Sequence, residues 1–200
     1  ENFIIAADNP NNNTADALRF AASGTDKLQY MFGGTSAGNL ITNAVFRDPF
    51  AWYHIVVAVD TTQGTASNRV KLYINGSQIT SFATESYPTQ NYTGDMTDDG
   101  LHRIGMDTNN TNHGFDGYMA EVVLVDGEQL TPSSFGETDS NSGIWTPKEI
   151  SGLTFGTTGF YLEFGNASVL GDDTSGNNND WTAVNISSTN QSADVPTNNW

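Results

Sequence analysis

The stretch Trp52-Tyr53-His54-Ile55-Val56-Val57-Ala58-Val59-Asp60, followed after a polar loop by Arg69-Val70-Lys71-Leu72-Tyr73-Ile74-Asn75-Gly76, is the clearest structural signal in the chain. Side chains on an extended backbone point to alternate faces. Tyr53, Ile55, Val57 and Val59 therefore share one face, and Trp52, His54, Val56 and Ala58 the other. Both faces are apolar, as in a strand covered on two sides. In the second segment Val70, Leu72 and Ile74 share a face, with Lys71 and Tyr73 opposite. Asn75-Gly76 then predicts a two-residue hairpin turn, because a type I′ turn needs positive φ at both central positions. The pattern predicts strands over 51–60 and 69–75, a loop over 61–68 and a returning strand over 78–83.

The same period-two alternation extends in both directions. It predicts strands over 2–7, 17–21, 27–32 and 39–46 before the hairpin, and over 101–106, 117–125, 159–164 and 181–186 after it. The Asn-rich stretches 9–14 and 109–112 read as loops. The one helical signal is Thr131-Pro132-Ser133-Ser134-Phe135, where Thr131 suits an N-cap and Pro132 the first helical position. Many short strands with turn residues between them, and no internal repeat, predict an all-β, antiparallel two-sheet sandwich with one short helical turn. Its expected core is Tyr53, Ile55, Val57, Val59, Val70, Leu72, Ile74, Val122 and Leu124, or the opposite parity of those strands.

With 200 residues, the chain has the length of one sandwich domain and buries enough surface to fold without cross-links. It has 7 basic and 23 acidic residues, a net charge of −16 and no cysteine. Phosphate recognition requires clustered Lys and Arg, so nucleic acid is excluded as a partner. An anionic membrane surface is excluded on the same ground. No apolar run approaches the ~20 residues of a membrane span. The chain starts at Glu1 without a Met and without a leader pattern, and is read as a processed chain or a piece of a longer protein.

The segment 52–60 with Lys71-Leu72-Tyr73-Ile74-Asn75-Gly76 resembles the central hairpin of laminin-G-like domains. Ile104-Gly105, then Gly114-Phe115-Asp116-Gly117-Tyr118-Met119-Ala120-Glu121-Val122, then Leu130-Thr131-Pro132-Ser133-Ser134-Phe135-Gly136, resemble the strand and short helix that follow it there. The resemblance implies a concanavalin A-like jelly roll. A narrower likeness joins residues 46–54 and 130–137 with Asp173-Thr174-Ser175-Gly176-Asn177-Asn178-Asn179-Asp180-Trp181-Thr182. These are similar to segments of long structural proteins of marine bacteriophages, and the tail Asp194-Val195-Pro196-Thr197-Asn198-Asn199-Trp200 resembles a linker in that group. That likeness implies an extracellular, virion-surface location and an oligomeric assembly. The Asp-x-Ser-Gly-Asn-x-Asn segment opens single laminin-G-like domains but stands here near the C-terminus. Residues 157–200 therefore either close this sandwich or begin a further unit.

Sandwich glucanases set two or three carboxylates on one face of one strand, so that an acid and a nucleophile flank the scissile bond at ~5 Å. Here Glu121 shares its face with Val123 and Val125, while Asp126 and Glu128 have the other parity and lie past the expected strand end. No Gly-x-Ser-x-Gly elbow is present, and His54, His102 and His113 lack metal-pair spacing. The expectation is a non-enzymatic module, with a glycoside hydrolase as the minor alternative. Its expected partner is carbohydrate, or else neighbouring structural subunits in a purely architectural role. Tyr87, Tyr92 and Trp145 are the candidate sugar-stacking residues, since they sit among polar neighbours in loops. No cofactor is required. Calcium is the candidate metal, because it takes six to eight oxygen ligands. Two acidic loops offer such oxygens: Asp95, Asp98 and Asp99 in one, and Asp172, Asp173, Asn177, Asn179 and Asp180 in the other. The competing reading of both is a solvated turn whose Asp and Asn cap their own backbone.

Overall fold

The computed structural model describes residues 2–9, 14–21, 25–110, 112–193 and 195–196. The expected loop at 9–14 and the linker-like tail at 194–200 lie largely outside them, as does residue 111 of the loop at 109–112. The strands in chain order are β1 Asn2–Asn9, β2 Thr14–Phe20, β3 Lys27–Phe32, β4 Gly38–Val45, β5 Ile55–Val59, β6 Val70–Ile74, β7 Ser77–Gln78 and β8 Phe82–Ser86. They continue with β9 Leu101–Ile104, β10 Val122–Leu124, β11 Gly136–Thr138, β12 Trp145–Pro147 and β13 Phe160–Leu162.

Six strands form an antiparallel sheet in the order β8-β4-β3-β2-β1-β9, and β5-β6-β7 form a second sheet. Their facing side chains make the core. Leu18, Leu28, Tyr30, Phe32 and Leu40 from the large sheet pack with Val70 and Leu72 from the small one. Ile55, Val57, Val59 and Ile74 pack against this cluster. Of the two parities the alternation allows, this is the first, with Val57 paired to Leu72 and Val59 to Val70 across the hairpin. Val122 and Leu124, expected in the same core, are instead half-buried in a separate ladder. The opposite face is not solvent, since Val56 and Ala58 are 9% and 4% exposed. The all-β antiparallel sandwich is thus borne out. On its other face the large sheet buries Phe3, Ala6, Ala17 and Met31, which form a second cluster along the paired residues Ala6, Ala17 and Met31.

The hairpin turn also forms as expected, with φ of 47° at Asn75 and 77° at Gly76. A Cβ at Gly76 would stand 2.3 Å from the Trp145 ring, so this position requires glycine twice over. The helical turn at Pro132–Ser134 is present, with Pro132 at its start. Further short turns occur at Gly33–Thr35, Ala66–Arg69 and Ser188–Asn190, the second inside the expected loop at 61–68.

Several strands differ from expectation. The returning strand expected over 78–83 divides: Ser77–Gln78 pairs with β6, whereas Phe82–Ser86 pairs with β4 in the large sheet. The strand expected from 51 begins only at Ile55, and Trp52, expected in the core, is 37% exposed. The strand expected over 117–125 is confined to β10, because Glu121 adopts a φ of 53° and interrupts the extended run just before Val122. No strand forms over 181–186. Trp181 N–H donates to the Gly171 carbonyl, but Val184 and Ile186 are 69% and 52% exposed. Alternation supplies a face, not a neighbouring strand edge to pair with. The β11–β12 ladder falls in a segment for which the alternation predicts no strand.

A third ladder pairs β10 with β13 in the register Val122–Leu162, Val123–Tyr161 and Leu124–Phe160. The Asp173 segment then folds back on β13, with a bridge between Leu162 and Asp173.

Candidate functional site

The three aromatic residues singled out from sequence are not brought together. Tyr92 packs edge-on to Phe32, with ring centroids 6.2 Å apart, and lies against the core. Tyr87 also packs on the core and donates its hydroxyl to Glu85 at 2.9 Å. Burial and then this bond to Glu85 push the Tyr87 phenol up to about 12. Trp145 stacks on His54 at 5.7 Å and donates its indole N–H to His54 Nδ1 at 3.1 Å. That bond requires an unprotonated Nδ1, in keeping with the burial that lowers the His54 pKa. Each of the three is thus held against other side chains of the sandwich.

The two acidic loops divide in the same way. Asp95 is 3% exposed, and its N–H donates to Asp16 Oδ2 at 2.8 Å. Asp98 Oδ1 accepts from Gly100 N–H at 2.8 Å, while Asp99 is exposed. Asp16 itself, which the sequence reading passed over, is 1% exposed on the core face of β2. Its other oxygen accepts from Gly33 N–H at 2.9 Å. Desolvation raises the Asp16 pKa to about 6; the two amides act against this, and the charges of Asp95 and Asp98 add to it. The legible signal was a lone carboxylate in the alternating apolar run Ala15-Asp16-Ala17-Leu18.

In the second loop the oxygens are taken by the protein's own donors. Asp173 accepts from Tyr161 N–H, Ser175 N–H, Ser175 Oγ and Asn179 N–H, all at 2.8–2.9 Å. Asp180 Oδ1 accepts from Asp173 N–H at 2.9 Å. Asn177 donates to the Gly156 and Gly159 carbonyls, and Asn179 to those of Thr157 and Gly159. Asp172 accepts from the Asn166 amide. Asp-x-Ser-Gly-Asn-x-Asn therefore works as a clasp that ties 173–180 to β13 and the turn before it. Among the described residues, no three His, Asp or Glu side chains converge to hold a metal ion.

Thr174 of the clasp joins residues of 150–155 in lining an open cleft of about 250 Å³. Phe155 and Tyr161 line it as a stacked pair, with centroids 6.4 Å and planes 10° apart. Ser151, Thr174 and Glu163 add polar groups to its lining. On β13 Phe160 and Leu162 are 3% and 1% exposed, Tyr161 between them is half-buried, and Glu163 follows the strand end. Glu121 precedes β10 and Glu163 follows β13, so the two residues flank the same end of this antiparallel ladder. Burial and then the Glu163 charge raise the Glu121 pKa. Burial, followed by the charges of Glu121, Glu163 and Glu149, raises the pKa of the Tyr161 phenol. The sequence reading sought paired carboxylates within one strand; Glu121 and Glu163 flank the end of a ladder between strands far apart in sequence.

A laminin G family model, described as the concanavalin A-like lectin/glucanases superfamily, matches residues 1–134. The chain belongs to this superfamily. The match covers the large sheet and the central hairpin, whose facing layers give the family its sandwich. The cleft beside β13 lies outside the matched residues. No curated protein and no solved structure matches the chain. The superfamily embraces lectins and glycosidases, so membership is compatible with carbohydrate binding and does not choose between binding and hydrolysis. Among the described residues, no helix is long and apolar enough to cross a membrane.

Proposed function

We propose that this domain is a non-catalytic carbohydrate-binding module. The observation that carries the reading is the cleft beside β13, where the stacked pair Phe155 and Tyr161 stands next to the Ser151 and Thr174 hydroxyls and the Glu163 carboxylate. Sugar rings present apolar C–H faces and polar edges, and a site of a few aromatic faces with a few placed polar groups matches both. Superfamily membership supports the same class of ligand. In the virion-surface setting implied by the phage-like segments, weak sites repeated on a particle gain strength through effective concentration.

The test is a glycan array probed with multivalently displayed domain, with calcium and again with chelator. Binding that Tyr161→Ala abolishes supports the reading. Binding that survives Tyr161→Ala moves the site elsewhere, and loss with chelator points to the acidic loops. No binding in either condition overturns the reading.

A second reading, that of an architectural subunit, is favoured by the loop at 48–52. There Phe50 N–H is held by Asp48 Oδ1 at 2.9 Å, and the Phe50 ring is 93% exposed beside the half-exposed Trp52. A projecting aromatic of this kind suits contact with a neighbouring subunit. Light scattering of the full chain against Phe50→Ser tests it, with loss of self-association as the expected result.

A further inference from the structure

Phe155 and Tyr161 flank a short loop that does little to hold its own shape. It reads Gly156-Thr157-Thr158-Gly159, with φ of 73° at Gly156. Glycine loses more conformational freedom on ordering than any other residue, so a loop with two of them is costly to fix. The Thr158 side chain adds no brace, since its Oγ1 is buried without a hydrogen-bond partner among the described residues. The bracing comes from the clasp. Asn177 Nδ2 donates to the Gly156 carbonyl at 2.6 Å and to the Gly159 carbonyl at 2.8 Å. Asn179 Nδ2 donates to the Thr157 carbonyl at 3.1 Å and to the Gly159 carbonyl at 2.8 Å. Two side-chain amides thus occupy three of the loop's four carbonyls. Tyr161 is gripped on both sides of its own backbone. Its N–H donates to Asp173 Oδ1 at 2.8 Å, and its carbonyl accepts from Thr174 N–H at 2.9 Å. At the other end of the loop the Phe155 carbonyl accepts from Asp126 N–H at 2.9 Å. Asp173 is fixed in turn by Asn179 N–H and by Asp180, whose Oδ1 accepts the Asp173 N–H, both at 2.9 Å.

We propose that Asp173, Asn177 and Asn179 are positioning residues of the cleft, which hold Phe155 and Tyr161 parallel before a ligand arrives. This rests on the carbohydrate-binding reading and adds what keeps that site ready for its ligand. The lining of the cleft includes Thr174 but not these three side chains, so each acts through the loop or through the Tyr161 backbone. A ligand that meets a preformed platform does not have to order it. The apparent affinity of a site scales with the fraction of molecules already in the competent form. Loosening the loop lowers that fraction and leaves the bound geometry as it was, so the glycans recognised stay the same while each is held more weakly.

The experiment takes two readouts on Asn177→Asp and Asn179→Asp, isosteric changes that replace a donating amide by an acceptor. The first needs no ligand: nuclear Overhauser contacts between the Phe155 and Tyr161 rings, in the full chain carrying ring-labelled Phe and Tyr. The second is the apparent affinity for the glycan array, from a concentration series of the multivalently displayed domain. Both variants are expected to lose the ring contacts and to bind the same glycans at least about fivefold more weakly, the population change that one net hydrogen bond produces. Circular dichroism checks the fold, and Asn177→Ala carries the same test in place of an aspartate variant that unfolds. Asn178→Asp makes the same charge change at the exposed residue between the two, and Gly94→Ala lowers stability away from the clasp. Both controls are expected to keep the ring contacts and the affinity. Ring contacts retained in both test variants overturn the inference and leave the carbohydrate reading standing. Lost contacts with unchanged affinity also overturn it, because binding then needs no held platform. Equal weakening by Asn178→Asp or by Gly94→Ala reports charge or overall stability and overturns it as well. Wild type that binds no glycan while its rings stay in contact overturns the carbohydrate reading, and the inference with it.

Discussion

Asp16 and Asp173 perform the same task in two regions of the molecule, and their acidities move in opposite directions. Both are buried, at 1% and 8% exposure, and both hold backbone N–H groups from distant segments. Asp16 ties the turn at Gly33–Thr35 to the loop at 94–98, inside the core of the sandwich. Asp173 ties the C-terminal clasp to β13. Asp16 has two amide donors and two carboxylate neighbours, so desolvation prevails and the pKa rises to about 6. For Asp173 burial likewise works against the charge, but three amides and the Ser175 hydroxyl outweigh it and hold the carboxyl below its usual range. Burial alone does not set the sign of a shift; the number of donors converging on the charged form does.

The largest effect is expected from Asp173→Ala, which leaves three amides without their acceptor. A buried donor left unsatisfied costs about 1–3 kcal/mol, so a loss of about 3 kcal/mol in urea denaturation is expected, together with faster proteolysis within 172–180. A loss below about 1 kcal/mol would break the comparison by showing that the clasp is not closed in solution.

The pH dependence comes next. Asp16 binds a proton more tightly folded than unfolded, so stability falls as pH rises from about 4 to about 6. A shift of about 2 units corresponds to about 3 kcal/mol at most. For Asp173 the sign is reversed: its contribution is present above the unfolded carboxylate pKa and is lost as pH falls through the lower folded value. Stability measured from pH 3 to 7 in wild type and in Asp16→Asn, taken as a difference, is expected to decline across pH 4–6. A flat difference would show that water reaches Asp16.

Gly94→Ala sharpens the same contrast, because a Cβ there would stand 2.4 Å from Asp16 Oδ2. Displacing that oxygen from Asp95 N–H is expected to cost about 2 kcal/mol, read as a lower urea midpoint, and to leave the clasp untouched. The smallest effect is expected from Asn177→Ala, which removes bonds to the carbonyls of Gly156 and Gly159 at a more exposed position. About 1 kcal/mol follows from one net hydrogen bond, measured by the same denaturation; a cost equal to that of Asp173→Ala would place the weight of the clasp on its amides instead.

The sequence by itself determined the sandwich. The alternation through Ile55, Val57, Val59, Val70, Leu72 and Ile74, and the Asn75-Gly76 turn that follows it, are local signals that act through backbone geometry. The tertiary structure alone decided the rest. Whether 181–186 becomes a strand depends on an available edge. Whether Tyr92 and Trp145 are free depends on what they pack against, here Phe32 and His54. The placing of Glu121 and Glu163 at one end of the β10–β13 ladder, and the stacking of Phe155 on Tyr161, join segments that local alternation leaves unrelated. The Asp-x-Ser-Gly-Asn-x-Asn oxygens could equally have faced a cation or their own backbone, and only the fold shows that Tyr161, Ser175 and Asn179 occupy those of Asp173. Local pattern fixes which way a side chain points, whereas partners, burial and charge are set by segments that are far apart in sequence and meet only once the chain has folded.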